Sequence, residues 1–144
     1  PRMLLMDEPF GALDHQTREL MQELLLGIWQ SEKVSERKTV LFVTHDIDEA
    51  VFMGTRVVVM SARPGRIKLD RLVPLAHPRH YLIKTSAEFS ALKAELTEAV
   101  RMEVLDTTPW PDASSAVPLP AEAGTLVVFD GLLPHWSAPN RSSR

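Results

Sequence analysis

Met3-Leu4-Leu5-Met6-Asp7-Glu8 opens a segment that continues as Pro-Phe-Gly-Ala-Leu-Asp to residue 14. Its apolar run predicts a strand over about residues 2–6. Because the run has no polar alternation, it is typical of a parallel strand covered on both faces. The two carboxylates that follow it suit a site where one acidic side chain binds Mg²⁺ and the next activates a water molecule.

The residues up to about 103 predict strands and helices in alternation. Strands are predicted at about residues 2–6, 39–43, 56–60 and 67–73, and helices at about 17–30, after Asp46 and after Thr85. The strand at 67–73 follows a turn and is predicted to pair as a hairpin. This order predicts an α/β fold with a largely parallel sheet.

Local signals support the three predicted helices. Asp46 with Glu49, and Thr85 with Glu88, have the spacing of capping boxes, and Gly54 is a stop signal. The first helix has one apolar stripe at three- and four-residue steps, formed by Leu20, Met21, Leu24, Leu25, Ile28 and Trp29. This helix is therefore expected to have one apolar face.

Three polar side chains follow the ends of two predicted strands: Asp7 and Glu8 after the first, and His45 after the second. In open parallel sheets ligands bind outside the carboxyl ends of the strands, so we expect the three to share one crevice. Asp7 would hold magnesium, Glu8 would deprotonate a water molecule, and His45 would donate a hydrogen bond to a terminal phosphate oxygen. Each residue alone also fits an ordinary strand end, and the prediction depends on their combination.

Composition excludes several classes of function. The net charge of -3 gives no electrostatic reason to expect nucleic-acid binding. The absence of cysteine excludes a disulfide framework and thiolate metal sites. The longest apolar runs are far shorter than the ~20 residues of a membrane span. We therefore expect neither a nucleic-acid partner nor a direct membrane span.

The order of the motifs strongly resembles the C-terminal half of an ABC transporter ATP-binding subunit over residues 1–103. Residues 4–9 resemble the Walker B segment, residues 11–14 the D-loop, and residues 44–46 the switch-histidine loop. The resemblance implies the sheet of a P-loop NTPase, with ATP and Mg²⁺ as cofactors.

The same resemblance implies a role for each motif residue. Asp7 assists magnesium, Glu8 is the catalytic base, Asp14 meets the partner subunit across the nucleotide, and His45 senses the γ-phosphate. Residues 48–52 and 62–67 most resemble the corresponding segments in importers of the nitrate, sulfonate and taurine group. The implied partners are a second ATP-binding subunit and a membrane permease, and the implied location is cytoplasmic, peripheral at the inner face of the membrane.

The 144 residues depart from the family pattern. They contain no G-x-x-x-x-G-K-[ST] phosphate loop, no glutamine loop and no Leu-Ser-Gly-Gly-Gln signature. We therefore expect an incomplete sheet that lacks the phosphate-loop strand and leaves apolar strand edges and faces uncovered. We also expect that this chain alone neither binds nor hydrolyses ATP appreciably.

The composition changes near residue 104. Six of the 11 prolines and two of the three tryptophans follow that point. Residues 107–120 predict loop or extended chain, and residues 125–129 predict a strand. We place a domain boundary between 1–103 and 104–144, and we expect the second part to pack poorly on the first.

Residues 104–144 resemble the C-terminal part of the phytanoyl-CoA dioxygenase family, jelly-roll enzymes that use Fe(II) and 2-oxoglutarate. The stretch His135-Trp-Ser-Ala-Pro-Asn carries the resemblance, which implies that His135 is an iron ligand. The His-x-Asp or His-x-Glu pair that would complete the triad is absent from the sequence. Arg144 lies slightly early for the arginine that binds 2-oxoglutarate. We therefore expect no oxygenase activity.

Two incomplete resemblances leave three interpretations. The chain is an ATPase subunit with a foreign tail, an oxygenase joined to a foreign transporter segment, or a junction product without a function of its own. The upstream reading frame distinguishes them, because a phosphate loop there favours the first and an iron-binding His-x-Asp favours the second. We favour the first, since its resemblance is longer and includes three linked motifs.

Overall fold

One sheet unites all the described strands. A computed structural model describes residues 3–31, 33, 37–60, 66–101 and 126–130. The strands are β1 (Met3–Asp7), β2 (Thr39–Thr44), β3 (Arg56–Met60), β4 (Ile67–Leu72) and β5 (Leu126–Asp130). Their spatial order is β1-β2-β5-β3-β4, in which only β4 runs antiparallel to its neighbour. The predicted α/β class, the mainly parallel sheet and the hairpin are thus confirmed.

Among the described residues, three α-helices and one 3₁₀-helix lie between the strands. They are α1 (His15–Ser31), α2 (Ile47–Met53), the 3₁₀-helix Tyr81–Thr85 and α3 (Ala87–Arg101). Helices α2 and α3 pack on each other, and each also contacts the sheet. The core between them includes Phe42, Phe52 and Phe89, each at most 1% exposed. None of the described helices has the length and apolar character needed to cross a membrane.

The predicted helix caps are partly confirmed. The Asp46 carboxylate accepts hydrogen bonds from the backbone of residues 48 and 49, and α2 stops at Gly54, as expected. Glu49 does not return a hydrogen bond to Asp46, because its side chain is buried in a different polar contact. Ser86, not Thr85, caps α3 by accepting from the Phe89 N–H at 3.1 Å. The second predicted capping box is therefore wrong by one residue.

The interpretation of β1 as a strand covered on both faces is wrong, whereas the expectation of uncovered apolar faces is met on β1 and also applies to α1. On β1, Met3 is 59% exposed and Leu5 70% exposed, so the strand is not covered on both faces. On α1, the buried side chains are Gln22, Leu26 and Trp29, whereas most of the predicted stripe is exposed, namely Leu20, Met21, Leu24 and Ile28. Apolar periodicity finds the faces that could be buried, but burial also needs a covering layer. No described element covers the Met3 and Leu5 side of β1 or the exposed stripe of α1.

The expectation that residues after 104 pack poorly on the α/β part is wrong for β5. This strand lies inside the sheet, hydrogen-bonded to β2 on one side and β3 on the other. Its apolar sequence, Leu-Val-Val-Phe, suits a central parallel strand as well as a jelly-roll strand, so the local pattern could not distinguish the two. The boundary at residue 104 itself remains a prediction.

A buried arginine closes the carboxyl end of α2. Arg79 is 4% exposed and donates to the carbonyl oxygens of Val51, Phe52 and Gly54 at 2.8 to 3.1 Å. Its second terminal nitrogen donates to the Leu75 carbonyl at 2.9 Å. The last carbonyls of a helix have no partner within the helix, so this guanidinium supplies the missing donors. It fixes the segment before α3 against α2.

Candidate functional site

The two carboxylates lie where β1 ends. Asp7 is the last residue of the strand, and the Glu8 N–H extends the ladder by donating to the Val43 carbonyl at 2.9 Å. Glu8 has a φ of 41°, in the left-handed region that residues with a β-carbon seldom adopt. Such strain, about 1–3 kcal/mol, is kept only where the surroundings enforce it and is common in functional sites. Here it turns the chain sharply after the strand.

The loop after Glu8 is fixed at both ends. Phe10 is buried and its ring lies 5.7 Å from that of Phe42. Asp14 begins α1, accepting hydrogen bonds from the N–H of Gln16 and from both the N–H and the hydroxyl of Thr17. These hydrogen bonds, first that of the Thr17 hydroxyl, lower the pKa of the exposed Asp14 carboxyl. The structure thus gives Asp14 a helix-capping role, and its predicted contact with a partner subunit stays a prediction.

Glu8 and His45 are in direct contact. The Oε1 atom of Glu8 and the Nδ1 atom of His45 are 2.9 Å apart. The hydrogen bond to Glu8 raises the pKa of His45, and its partial burial opposes that rise. The structure therefore brings together the predicted base and the predicted phosphate sensor, from the carboxyl ends of neighbouring strands.

A buried polar cluster lies behind this pair. Thr44 is 2% exposed, donates its hydroxyl to Glu49 Oε2 at 2.6 Å, and accepts from the Asp46 N–H at 3.0 Å. Gln22 donates to Glu49 Oε1 at 3.0 Å. Burial is the main reason that the pKa of Glu49 is raised. Since residues 44 and 46 flank His45, the cluster fixes the backbone that carries the histidine.

Sequence reasoning missed this cluster. Glu49 has the spacing of a capping residue, and Gln22 belongs to no distinctive motif and lies outside the predicted apolar stripe. No signal in the sequence identified the cluster, because the pattern did not place Gln22 on a buried face of the helix. Arg18 completes the surroundings, with its guanidinium 3.8 Å from the Asp46 carboxylate. A small cleft opens in front, lined by Glu8, Gly11, Arg18, Thr44, His45, Asp46 and Glu49.

Asp7 has the chemistry and the position of a magnesium ligand. It is an exposed carboxylate at the carboxyl edge of the sheet, next to Glu8. Proteins often hold Mg²⁺ by one or two carboxylates together with substrate phosphates. Among the described residues, no group of three or more His, Cys, Asp or Glu side chains is placed to hold a metal. The predicted iron ligand, His135, lies outside the described residues.

The Glu8–His45 pair predicts a measurable titration. We expect His45 to titrate above its ordinary pKa of 6.5, and Glu8→Gln to lower that pKa, because the substitution removes the hydrogen-bonded carboxylate. A raised histidine pKa means that the pair stabilises the fold below the unfolded-state pKa and that this stabilisation is lost as pH rises through the folded-state pKa. NMR titration of the imidazole measures the value. Glu88→Gln, an exposed change on α3, is the control, and a His45 pKa at or below 6.5 would contradict the pairing.

Curated relatives are similar in sequence to the N-terminal part of the chain. An uncharacterized ABC transporter ATP-binding protein of Methanocaldococcus jannaschii is 50% identical over 105 residues, 73% of this chain and 37% of that protein. An aliphatic sulfonates import ATP-binding protein of Bacillus thuringiensis is 47% identical over 98 residues, 68% of this chain and 36% of that protein. A protein of Brucella melitensis named as ATP-binding is 52% identical over 102 residues, 69% of this chain and 40% of its own length. The chain thus spans 40% or less of these relatives.

A family model matches the other end. The family is described as phytanoyl-CoA dioxygenase, and the match covers residues 73–144. The matched lengths of this family and of the relatives together exceed 144 residues, so the two matches overlap. Within the family match, Phe89, Leu92 and Leu96 belong to the core of the α/β part. Residues of both matched regions therefore contribute to one hydrophobic core.

Proposed function

We propose that the N-terminal part of this chain carries the catalytic half of an ATP-hydrolysing site. The chain belongs to the phytanoyl-CoA dioxygenase family through residues 73–144. Its N-terminal part is similar to the C-terminal half of an ABC transporter ATP-binding subunit. The observation that carries this proposal is the 2.9 Å contact between Glu8 and His45 at the carboxyl edge of β1 and β2. Asp7, one residue before Glu8, would hold Mg²⁺ on the same edge.

The chemistry of phosphoryl transfer suits this arrangement. The reaction needs positioned charge and an oriented water molecule more than covalent catalysis. Glu8 would accept the proton of the attacking water, and His45, held by the Thr44–Glu49 contact behind it, would donate to the γ-phosphate. The Glu8 carboxylate holds the Nδ1 atom of His45, and the second ring nitrogen, Nε2, would be the donor to the γ-phosphate.

The importer setting follows from the relatives. One of them is named as an aliphatic sulfonates import protein, and we propose that this chain belongs with importers of the nitrate, sulfonate and taurine group. A second ATP-binding subunit would meet Asp14, and a membrane permease would anchor the assembly at the inner face of the membrane, in the cytoplasm. Binding assays between this chain and permeases of that group would test this assignment. If the chain associates with none of the permeases, the assignment is contradicted.

The chain alone is expected to be inactive. Its 144 residues contain no phosphate loop, so nothing in this sequence cradles the β- and γ-phosphates. We predict that purified chain hydrolyses ATP no faster with Mg²⁺ than without it, and that Glu8→Gln leaves the background rate unchanged. Phosphate release measured by a coupled assay would reveal any activity. Magnesium-dependent turnover that disappears on Glu8→Gln would contradict the claim that this is only half of a site.

The second candidate is an Fe(II)- and 2-oxoglutarate-dependent dioxygenase fragment, favoured by the family match over residues 73–144. His135 is its one recognisable iron ligand. The ligand set does not fit iron, because no histidine in the sequence is followed two residues later by Asp or Glu. Isothermal titration with Fe(II) and 2-oxoglutarate under nitrogen, with His135→Ala as the comparison, tests this candidate. A junction product without function is the remaining possibility.

A further inference from the structure

Strand β5 occupies the central position of the sheet. Strands β2 and β3 are not hydrogen-bonded to each other, because β5 lies between them and runs parallel to both. The pairing with β2 extends from Val40↔Leu126 to Thr44↔Asp130, and the pairing with β3 ends at Val59↔Asp130. A segment distant in sequence thus holds the central place in the sheet.

Without β5 the sheet would divide into two pairs of strands, β1 with β2 and β3 with β4. Two-stranded ribbons are marginal in water. The division would also leave unpaired backbone groups along strands whose side chains form the core, including Phe42 and Val58, both 0% exposed. A buried N–H or C=O without a partner costs about 1–3 kcal/mol. The α/β core therefore depends on a strand in this place.

We propose that the gap between β2 and β3 is a strand-acceptor groove, specific for a parallel apolar strand, and that residues 126–130 of the same chain fill it. The groove offers hydrogen-bonding edges on both sides, and Leu-Val-Val-Phe supplies a continuous apolar strand. The tail is thus an integral part of the α/β sheet.

The occupied groove affects nucleotide binding, an inference that rests on the proposed function. Under the proposed function the terminal phosphate must reach both Glu8 and His45, at the ends of β1 and β2, and we infer that the phosphate-loop strand would lie beside β2. One neighbour of β2 is β1, which carries the carboxylates, and the other is β5. A phosphate-loop strand would therefore need the groove that β5 fills. The tail strand and the missing half of the ATP site exclude each other.

Engineered cysteines test the groove directly, because the chain has none of its own. Leu41 and Val127 are register partners, and neighbouring strands lie about 4.8 Å apart, within the range that a disulfide spans. We expect the variant with Leu41→Cys and Val127→Cys to form an intramolecular disulfide with oxidised glutathione. The control, Leu41→Cys with Val128→Cys, shifts the pair by one residue, to the opposite face of β5, and should form at most about one-tenth as much.

The state of the disulfide distinguishes the possible occupants. A monomeric cross-linked product supports filling by the same chain. Equal cross-linking in both pairs would overturn the assigned register, and a disulfide-linked dimer would assign the strand to a second copy.

The unmodified chain gives a check that needs no variant. Successive residues of a strand direct their N–H groups to opposite neighbours. With β5 in place, consecutive amides along β2 are protected from hydrogen exchange, whereas without it every second amide exchanges freely. NMR exchange rates for residues 40–44 decide between these patterns. Alternating protection would overturn the groove assignment.

The cross-link also tests the exclusion. The probe is the part of the Bacillus thuringiensis relative that this chain does not match. We expect the reduced variant to capture it at least about tenfold better than the oxidised variant, in which β5 cannot leave. Equal capture by both forms would overturn the exclusion. If the disulfide forms in register but neither form captures the probe, the groove assignment stands and the proposed ATP-site function is contradicted.

Discussion

Arg79→Met is expected to lower the free energy of unfolding by about 4 kcal/mol or more. The guanidinium makes four hydrogen bonds to buried carbonyls at the end of α2 and at Leu75. Burial lowers its pKa to about 10, which leaves it charged at neutral pH. Methionine fills much of the space but donates nothing. Because each unpaired carbonyl costs about 1–3 kcal/mol, the loss of all four donors accounts for an effect of that size.

A loss of that size is comparable to the whole stability of a small domain, about 5–15 kcal/mol. Urea denaturation followed by circular dichroism measures it, and a variant that is never folded also meets the expectation. The matched control is Arg71→Met, which removes an exposed ion pair with Glu95. Such pairs contribute at most about 1 kcal/mol. A folded Arg79→Met variant that loses less than about 1 kcal/mol would show that Arg79 is not a structural cap.

The sequence allowed the site to be predicted more fully than the packing. Asp7, Glu8 and His45 follow apolar runs of strand length, and parallel strands bring their carboxyl ends to one edge whatever lies elsewhere. That is why the contact between Glu8 and His45 could be anticipated before the structure. The supporting residues could not, because Gln22 and Glu49 are 27 positions apart and meet only through the packing of α1 against α2.

Burial and strand order depended on long-range partners. The apolar stripe of α1 was correctly recognised as periodic, yet Leu20, Leu24 and Ile28 are exposed because no described layer covers them. Likewise, a strand was predicted at residues 125–129 and β5 is found at Leu126–Asp130, but its neighbours in the sheet could not be inferred from its own composition. Local pattern determines which structure a segment favours, whereas tertiary contacts decide where it lies.

The second large effect is expected in a chimera that supplies the missing half of the site. Residues 1–103 of this chain would replace the matched segment of the Bacillus thuringiensis relative, which retains the rest of its own sequence. The family resemblance implies a phosphate loop in that remainder, and the omission of residues 104–144 would leave the groove between β2 and β3 free for its strand. We expect such a protein to hydrolyse ATP in the presence of Mg²⁺.

Matched substitutions assign that activity to residues of this chain. Glu8→Gln keeps the shape of the side chain but removes the base, and His45→Ala removes the donor to the γ-phosphate. General acid–base groups contribute about 10² to 10⁴ in rate, so each change should lower kcat by about 100-fold or more. Glu88→Gln and His80→Ala change the same residue types at exposed positions outside the site and should leave kcat within about twofold.

The kcat of the chimera with and without Glu8→Gln is the most direct measurement of the central claim, that residues 1–103 carry the catalytic half of an ATP site. We predict magnesium-dependent hydrolysis by the parent chimera and a loss of about 100-fold or more in the Glu8→Gln variant, with ATP binding retained in both. A chimera that binds ATP and hydrolyses it equally fast with either residue at position 8 would contradict the claim.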